Sequence, residues 1–252
     1  MEKSSLISVC IPAFNAEKYI ANTLRSLLDQ TYEAIEIIVV DDSSADRTKE
    51  EVEQFNSKKI QLFSNPRKGA ASARNYAYSK SQGEYIVFFD ADDLVNPDFL
   101  KTQLAAIAAT PGATVVSQWG RFYNFVETFR KDSGIIDRDL TFEEWIIEYW
   151  TYYRHTTPPG RVMMHRAVVE RAGIWNEDLT LNDDFEFFTR IFLESEIIKY
   201  NDKGIFYYRS GIGGLSSAAS YKAYQSYYNT LFLSLNKALE HFQYEPTIQR
   251  TC

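Results

Sequence analysis

Seven aspartates of this 252-residue chain fall into three tight clusters: Asp41-Asp42, Asp90 with Asp92-Asp93, and Asp183-Asp184. Carboxylates this crowded repel one another and stay ionised at low cost only with a cation between them. Hard oxygen donors in such a group suit Mg²⁺ or Mn²⁺, typically shared with the phosphates of a substrate. Each residue also has a plainer use. An Asp that follows a strand closes a turn or caps the next helix, and Asn182-Asp183-Asp184 at a helix start favours the helix dipole. Capping accounts for Asp41 or Asp93 alone; it does not require Asp90 and Asp92 together.

Clusters spread this widely in sequence need a scaffold that brings them to one edge. Short apolar runs at 7–11, 35–40, 60–63 and 85–89 alternate with helical patterns at 17–30, 46–56, 70–81 and 98–109. Continuous apolar strands separated by helices indicate an α/β fold, with a mostly parallel twisted sheet flanked by helices. Ligands bind such sheets beyond the carboxyl ends of the strands. Pro12-Ala13-Phe14-Asn15, Asp41-Asp42 and Asp90-Ala91-Asp92-Asp93 all fall there.

Beyond residue 114 the pattern loosens. It predicts a strand at 115–125, an aromatic helix at 141–153, a loop at 155–160 and a strand at 162–164 running into a helix to about 172. A helix at 183–194, a strand at 205–208 and a glycine-rich segment at 210–217 follow. The last helix, 221–242, aligns Tyr224, Tyr228, Leu231, Leu235 and Phe242 in one stripe. That stripe reads as the face that packs on the domain or on a homodimer partner, with a membrane surface as the sharper alternative.

Composition narrows the partners. There are 34 Asp+Glu against 27 Lys+Arg, a net charge of −7, and no basic stripe, so nucleic acid is not an expected partner. At 45% hydrophobic and 24% charged residues, disordered and collagen-like chains are excluded. Aromatic content of 15% supplies flat faces for ring-shaped ligands, or core. Cys10 and Cys252 lie at opposite ends, which fits a reducing compartment better than a disulfide framework. With no signal-type stretch and no long apolar segment, a cytoplasmic location is expected, with optional peripheral contact at the inner face of a membrane.

Four segments in order, VCIPAFNAEKYIANTLRSLLDQTY, IIVVDDSSADRT, RKGAASARNYA and GEYIVFFDADDLVNPDFL, resemble the family 2 glycosyltransferases. The resemblance covers about residues 6–100 and continues more loosely through NDDFEFFTRIF and FYYRSG. It implies a Rossmann-like GT-A fold in a single domain over 1–252, with a variable C-terminal half. About 1–110 would bind the nucleotide sugar, about 111–218 the acceptor and base, and 219–252 would be a helical tail.

The implied reaction is inverting transfer from a nucleotide sugar, with a UDP-sugar expected, to a hydroxyl of a carbohydrate or lipid-linked acceptor. Glycan or cell-surface polysaccharide synthesis is the implied setting. By the same resemblance Phe14, with Pro12 and Ala13, lies against the base, and Asp42 accepts the imino N–H of uracil. Asp90-Ala91-Asp92 is the D-x-D motif, whose Asp90 and Asp92 hold a divalent cation, Mn²⁺ or Mg²⁺; Asp92 is the more direct ligand. Arg74 fits the pattern better than Arg67 for a residue near the nucleotide or its phosphates, and either would serve equally in a surface ion pair. Asp184 is the general base, with Asp183 its neighbour and second choice.

The chain also departs from the pattern. Tyr208-Arg209-Ser210-Gly211 lacks the histidine of Tyr-Arg-x-His, which puts metal affinity or lid closure in doubt. Gly211, Gly213 and Gly214 suit a loop that orders over donor, or a plain connector. No Gln-x-x-Arg-Trp is present, which disfavours a processive synthase. Trp119, Trp145, Tyr149, Trp150 and His155 lie in the variable half where acceptors bind in this fold, though such aromatic residues are more often core. His155 and His165 have no zinc-type spacing to a cysteine. A sugar nucleotidyltransferase would carry a Gly-rich basic loop after its first strand, where this chain has PAFNAEKY. A non-catalytic nucleotide-binding module would not need both DADD and NDD.

Overall fold

A computed structural model describes residues 4–110, 112–132, 137–151, 157–212 and 220–242. Its first half is the expected alternation: β1 (Ile7–Ala13), α1 (Ile20–Leu28), β2 (Ile35–Asp41), α2 (Thr48–Glu53), β3 (Ile60–Ser64), α3 (Ala70–Lys80) and β4 (Tyr85–Phe88). β5 (Leu94–Val95), α4 (Phe99–Ala108), β6 (Thr114–Phe122), β7 (Arg130–Lys131), α5 (Phe142–Thr151) and β8 (Val162–His165) come next. The chain then forms α6 (Arg166–Ala172), α7 (Asp183–Leu193), β9 (Ile198–Arg209) and α8 (Tyr221–His241).

Strand order is β3-β2-β1-β4-β8-β6-β9-β5, with β7 paired to β6. β1 to β4 run parallel, β8 is an antiparallel insertion, and β6 and β9 pair in parallel again. The uniformly apolar strands serve two cores at once, because alternate side chains leave opposite faces of the sheet. Val9, Ile11, Ile37 and Val39 pack with Ile20, Leu24 and Leu100. Cys10, Ile38, Val40 and Phe88 pack with Ala73, Trp175 and Phe187 on the other side. α1 reads as a surface helix because Ile20, Thr23, Leu24 and Leu27 line one side of it.

Two strands escaped the sequence pattern. β5 and β7 are two residues long, too short to show a period. β9 begins at Ile198, well before the apolar run at 205. The polar stretch Asn201-Asp202-Lys203 is accommodated by a bulge, where Ser117 pairs Asn201 and Gln118 pairs Ile205. The Asn201 amide fills the gap by donating to the Ser117 and Thr102 hydroxyls at 3.1 and 3.0 Å.

The expectation for α8 holds for part of the stripe: Leu231 packs against the core and Phe242 is buried, whereas the two tyrosines do not pack on the domain. Tyr224 and Tyr228 are 66% and 65% exposed, whereas Ala223, Ser226, Thr230, Ser234 and Ala238 form the buried face. Small side chains let α8 lie close to the chain entering α7. The Ser226 hydroxyl accepts the N–H groups of Thr180 and Leu181 at 2.8 and 3.1 Å. Of the expected stripe, Phe242 is buried, stacked on Phe142 at 5.6 Å. Tyr152, Tyr153, His155, Gly213, Gly214 and Cys252 lie outside the described residues.

The packing predicts a contrast along α8. Thr230→Leu overfills the buried face and costs about 1–3 kcal/mol, whereas Tyr228→Ser changes stability by less than about 0.5 kcal/mol. Urea denaturation of the two variants measures both.

Candidate active site

The carboxyl ends of β1, β2 and β4 release three loops at one edge of the sheet. In the loop after β2 the paired aspartates divide the work. Asp41 is buried; one of its carboxylate oxygens accepts the N–H groups of Ser43 and Ser44 at 3.1 and 3.2 Å. It is the turn-forming residue, and Lys49 stands 3.4 Å away. Asp42 points the other way. Its carboxylate accepts the Gly69 N–H at 2.9 Å and the Asn65 side-chain amide at 2.7 Å. Gly69 meets it with φ +119°, a conformation that a side chain would oppose.

The loop after β1 is tied to its neighbour. Asn15 backbone N–H donates to the Ser44 hydroxyl, and the Asn15 side-chain amide oxygen Oδ1 accepts Ala45 N–H, both at 2.9 Å. Pro12 and Ala13 end the strand, and Ala13 C=O receives Asp42 N–H at 2.8 Å. Phe14 is left 61% exposed at the rim. A large ring in water, fixed on a braced loop, is a ready stacking face.

The third loop carries Asp90, Ala91, Asp92 and Asp93. Thr23 of α1 donates to the carbonyls of Ala91 and Asp93, each at 2.9 Å. Asp92 is pushed up to about 7, first by burial and then by the charge of Asp90. Asp93, fully buried, is held well above the usual carboxylate range by burial and by both neighbours. One Asp93 oxygen accepts Arg209 N–H at 2.7 Å, and the other has no partner among the described residues. A carboxyl group short of donors and crowded by like charge is the environment a divalent cation relieves. Among the described residues no three Asp, Glu, His or Cys side chains form a complete cage. Mg²⁺-type sites normally use one or two carboxylates plus substrate oxygens, so the donor set fits a cation held jointly with a diphosphate.

Arg74 joins this loop to the start of α7. Its guanidinium donates to Asp90 and to Asp183, each at 3.0 Å, and lies 4.4 Å from the Trp175 ring. Only 9% of its side chain is exposed. The two flanking carboxylates raise its pKa against the opposing effect of burial. The next residue, Asn75, fixes the Trp175 loop by pairing with both Trp175 N–H and C=O at 2.9 Å.

Neither Asp183 nor Asp184 caps α7. The cap position is Asn182, with φ +60° and no side-chain cap bond. Asp183 is engaged with Arg74. Among the described residues Asp184 accepts the N–H of its neighbour Phe185, at 3.0 Å. Burial first, and then Asp183, push Asp184 up to about 7, with Arg74 opposing. A carboxylate with that affinity for protons is suited to general-base work near neutrality.

The sequence pattern described as "Glycosyl transferase family 2" matches residues 8–172, from β1 through α6. The chain belongs to that family. It is 40% identical over 101 residues to the UDP-Glc:alpha-D-GlcNAc-diphosphoundecaprenol beta-1,3-glucosyltransferase WfgD of Escherichia coli, covering 40% of this chain and 40% of that protein. Among solved structures, S. aureus TarS in complex with UDP-GlcNAc superposes with a TM-score of 0.79 at 24% identity, covering 93% of this chain and 66% of that one. GalNAc-T7 with UDP, GalNAc and Mn²⁺ gives 0.71 at 16% identity, covering 92% and 48%. The chain therefore spans less than half of WfgD and about two thirds of the TarS chain. Likeness at these identities establishes the α/β GT-A fold.

Within this glycosyltransferase fold the residues singled out in the sequence divide into four groups. Arg74 bridges Asp90 to Asp183, and Asp184 lies within electrostatic reach of Asp90 and Arg74. Phe14 and Asp42 belong to the neighbouring loops. Arg67 instead forms a rim ion pair with Glu177 at 2.7 Å. Trp119, Trp145 and Tyr149 are core, and Trp150 is half-buried. Three contributors gave no usable signal alone: Thr23, Asn65 and Trp175; Arg209 was visible only as part of the Tyr-Arg-x-His comparison. Only the Arg74-Asn75 pair hinted at a partner, since a buried Arg and Asn on a small-residue helix must bond to something.

Removing the bridge has a defined cost. Arg74→Met leaves Asp90 and Asp183 facing each other and destabilises the protein by about 3 kcal/mol. Unpaired buried carboxylates have raised pKa values, so their repulsion fades as they take up protons. The loss is therefore larger at pH 8 than at pH 5, as thermal melts of both proteins at the two pH values would register.

Proposed function

We propose that this chain is a metal-dependent inverting glycosyltransferase that takes a UDP-sugar as donor and a hydroxyl acceptor. The observation that carries the reading is the join at Arg74. It couples an acidic loop short of hydrogen-bond donors to a helix start bearing a carboxylate with a pKa near 7. The complexes of TarS with UDP-GlcNAc and of GalNAc-T7 with UDP and Mn²⁺ support the donor class and the cation. The diphosphoundecaprenol in the name of WfgD supports a lipid-linked acceptor, and cell-surface polysaccharide synthesis is the setting that this reading takes. No helix among the described residues is long and apolar enough to cross a membrane. In this reading 1–252 act as a single domain, with donor-side and acceptor-side halves meeting near residue 110.

Phe14, beside Pro12 and Ala13, covers one face of the base. Asp42 accepts the uracil imino N–H with the lone pairs that Gly69 and Asn65 leave free, and those two donors fix its direction. Asp90 and Asp92, flanking Ala91, are the residues that would hold Mn²⁺ or Mg²⁺, which when bound offsets charge on the departing diphosphate. Arg74 fixes the Asp90 side chain through a charge-assisted hydrogen bond at 3.0 Å. Asp184 removes the acceptor hydroxyl proton as that oxygen bonds to the anomeric carbon and the bond to the nucleoside diphosphate breaks. A single displacement inverts the anomeric centre.

The proposal predicts separable losses. Asp184→Asn retains UDP binding and lowers turnover by roughly 10²–10⁴-fold, whereas Asp92→Ala abolishes the metal-dependent part of UDP binding. Turnover rises with pH through about 7, because Asp184 must be ionised to act. Calorimetric titration with UDP and Mn²⁺, and a screen of nucleotide sugars for metal-dependent hydrolysis, provide the measurements. Absence of any UDP binding with either metal would overturn the reading.

A further inference from the structure

The acidic loop is held from behind by a residue that the reaction scheme does not use. Arg209, the last residue of β9, is 7% exposed. Its Nε–H donates to the Asp92 carbonyl at 2.7 Å, and its backbone N–H donates to the Asp93 carboxylate at 2.7 Å. A weaker contact runs from Nη1 to the Tyr123 carbonyl at 3.4 Å. The guanidinium carbon sits 4.4 Å from the Phe122 ring and 5.0 Å from the Tyr19 ring. None of the ion pairs formed by described residues involves Arg209.

A desolvated guanidinium without a paired carboxylate is costly unless its surroundings use its charge. Here they do. Two aromatic faces stabilise the cation, and its positive charge lies against the loop that carries the Asp92 and Asp93 carboxylates. The bond to the Asp92 carbonyl fixes the peptide that carries the Asp92 side chain. Thr23 holds the carbonyls on either side, so all three carbonyls from Ala91 to Asp93 are tied down. Pairing of β5 with β9, Leu94 to Tyr207 and Val95 to Phe206, brings Arg209 into register with the loop.

We infer that Arg209 is a positioning residue for the donor site: it aims the Asp92 carboxylate and offsets the negative charge of the loop before donor binds. It touches neither donor nor acceptor in this role. It therefore governs affinity for the nucleoside diphosphate with its cation and leaves the proton transfer at Asp184 unaffected. The inference rests on the function proposed above.

The test uses Arg209→Lys, which keeps the charge and loses the planar Nε bond, and Arg209→Met, which loses both. The backbone N–H to Asp93 survives in each. Calorimetry with UDP and Mn²⁺ is expected to show at least tenfold weaker binding for Arg209→Met and an intermediate loss for Arg209→Lys. Donor hydrolysis is expected to show a raised KM with kcat within about threefold of the parent. Should Arg209→Met not fold, Arg209→Lys alone decides. A folded Arg209→Lys with parental UDP affinity overturns the inference, as does a variant whose kcat falls while its KM stays constant. Failure of the parent to bind UDP overturns the functional proposal instead, so the two failures are distinct.

Discussion

One guanidinium between two carboxylates sets the terms for the rest of this edge of the sheet. Asp90 and Asp183 come from opposite halves of the chain, and each lies 3.0 Å from Arg74. Two unit charges 4 Å apart interact by about 4 kcal/mol at a surface-like dielectric, so the sign of that interaction decides whether the halves attract or repel. Arginine suits the position because its planar fork reaches two acceptors at once and its face stacks on an aromatic ring. Trp175 supplies that ring and is itself stacked on Phe187 at 4.1 Å. The electrostatics of the site thus rest on the apolar core beneath it.

Much of this organisation was legible in the sequence because it is local. Apolar runs interrupted by helical patterns disclosed β1 to β4, and the aspartates after them marked the ligand edge. Which member of a pair faces the site was not legible. Asp41 turns inward because Ser43 adopts φ +66° and brings two N–H groups onto its carboxylate, and no period encodes that. Arg74 carried an expectation of contact with the nucleotide; its two carboxylate partners are 16 and 109 residues away, beyond the reach of any pattern. Aromatic residues could be read two ways from the sequence. Trp119 and Trp145 are core, while the tyrosines of α8 stand in water because its small residues let the helix pack closely.

The loops around the site share a backbone peculiarity. Among the described residues, the non-glycine residues with positive φ are Asn15, Ser43 and Asn182. They follow β1, follow β2 and precede α7. Strained conformations collect where the surroundings over-determine them, and here each redirects the chain just beside a carboxylate or the rim phenylalanine. The segment beyond β6 is built differently, with Tyr123 and Phe125 exposed. Variation there changes what is presented without disturbing the braced loops, which is how one fold hosts many specificities.

The contacts that complete the site span most of the chain. Arg74 reaches Asp183 across 109 positions, Asn75 reaches Trp175 across 100, and Arg209 reaches Asp93 across 116. Closing loops of that length is entropically costly, and the chain gains those contacts only after its locally folded parts have docked. During synthesis β1 to β4 emerge first and bear the aspartates that follow them before Arg209 of β9 has been made. The chemistry of this edge is therefore switched on last, when the final strand joins the sheet.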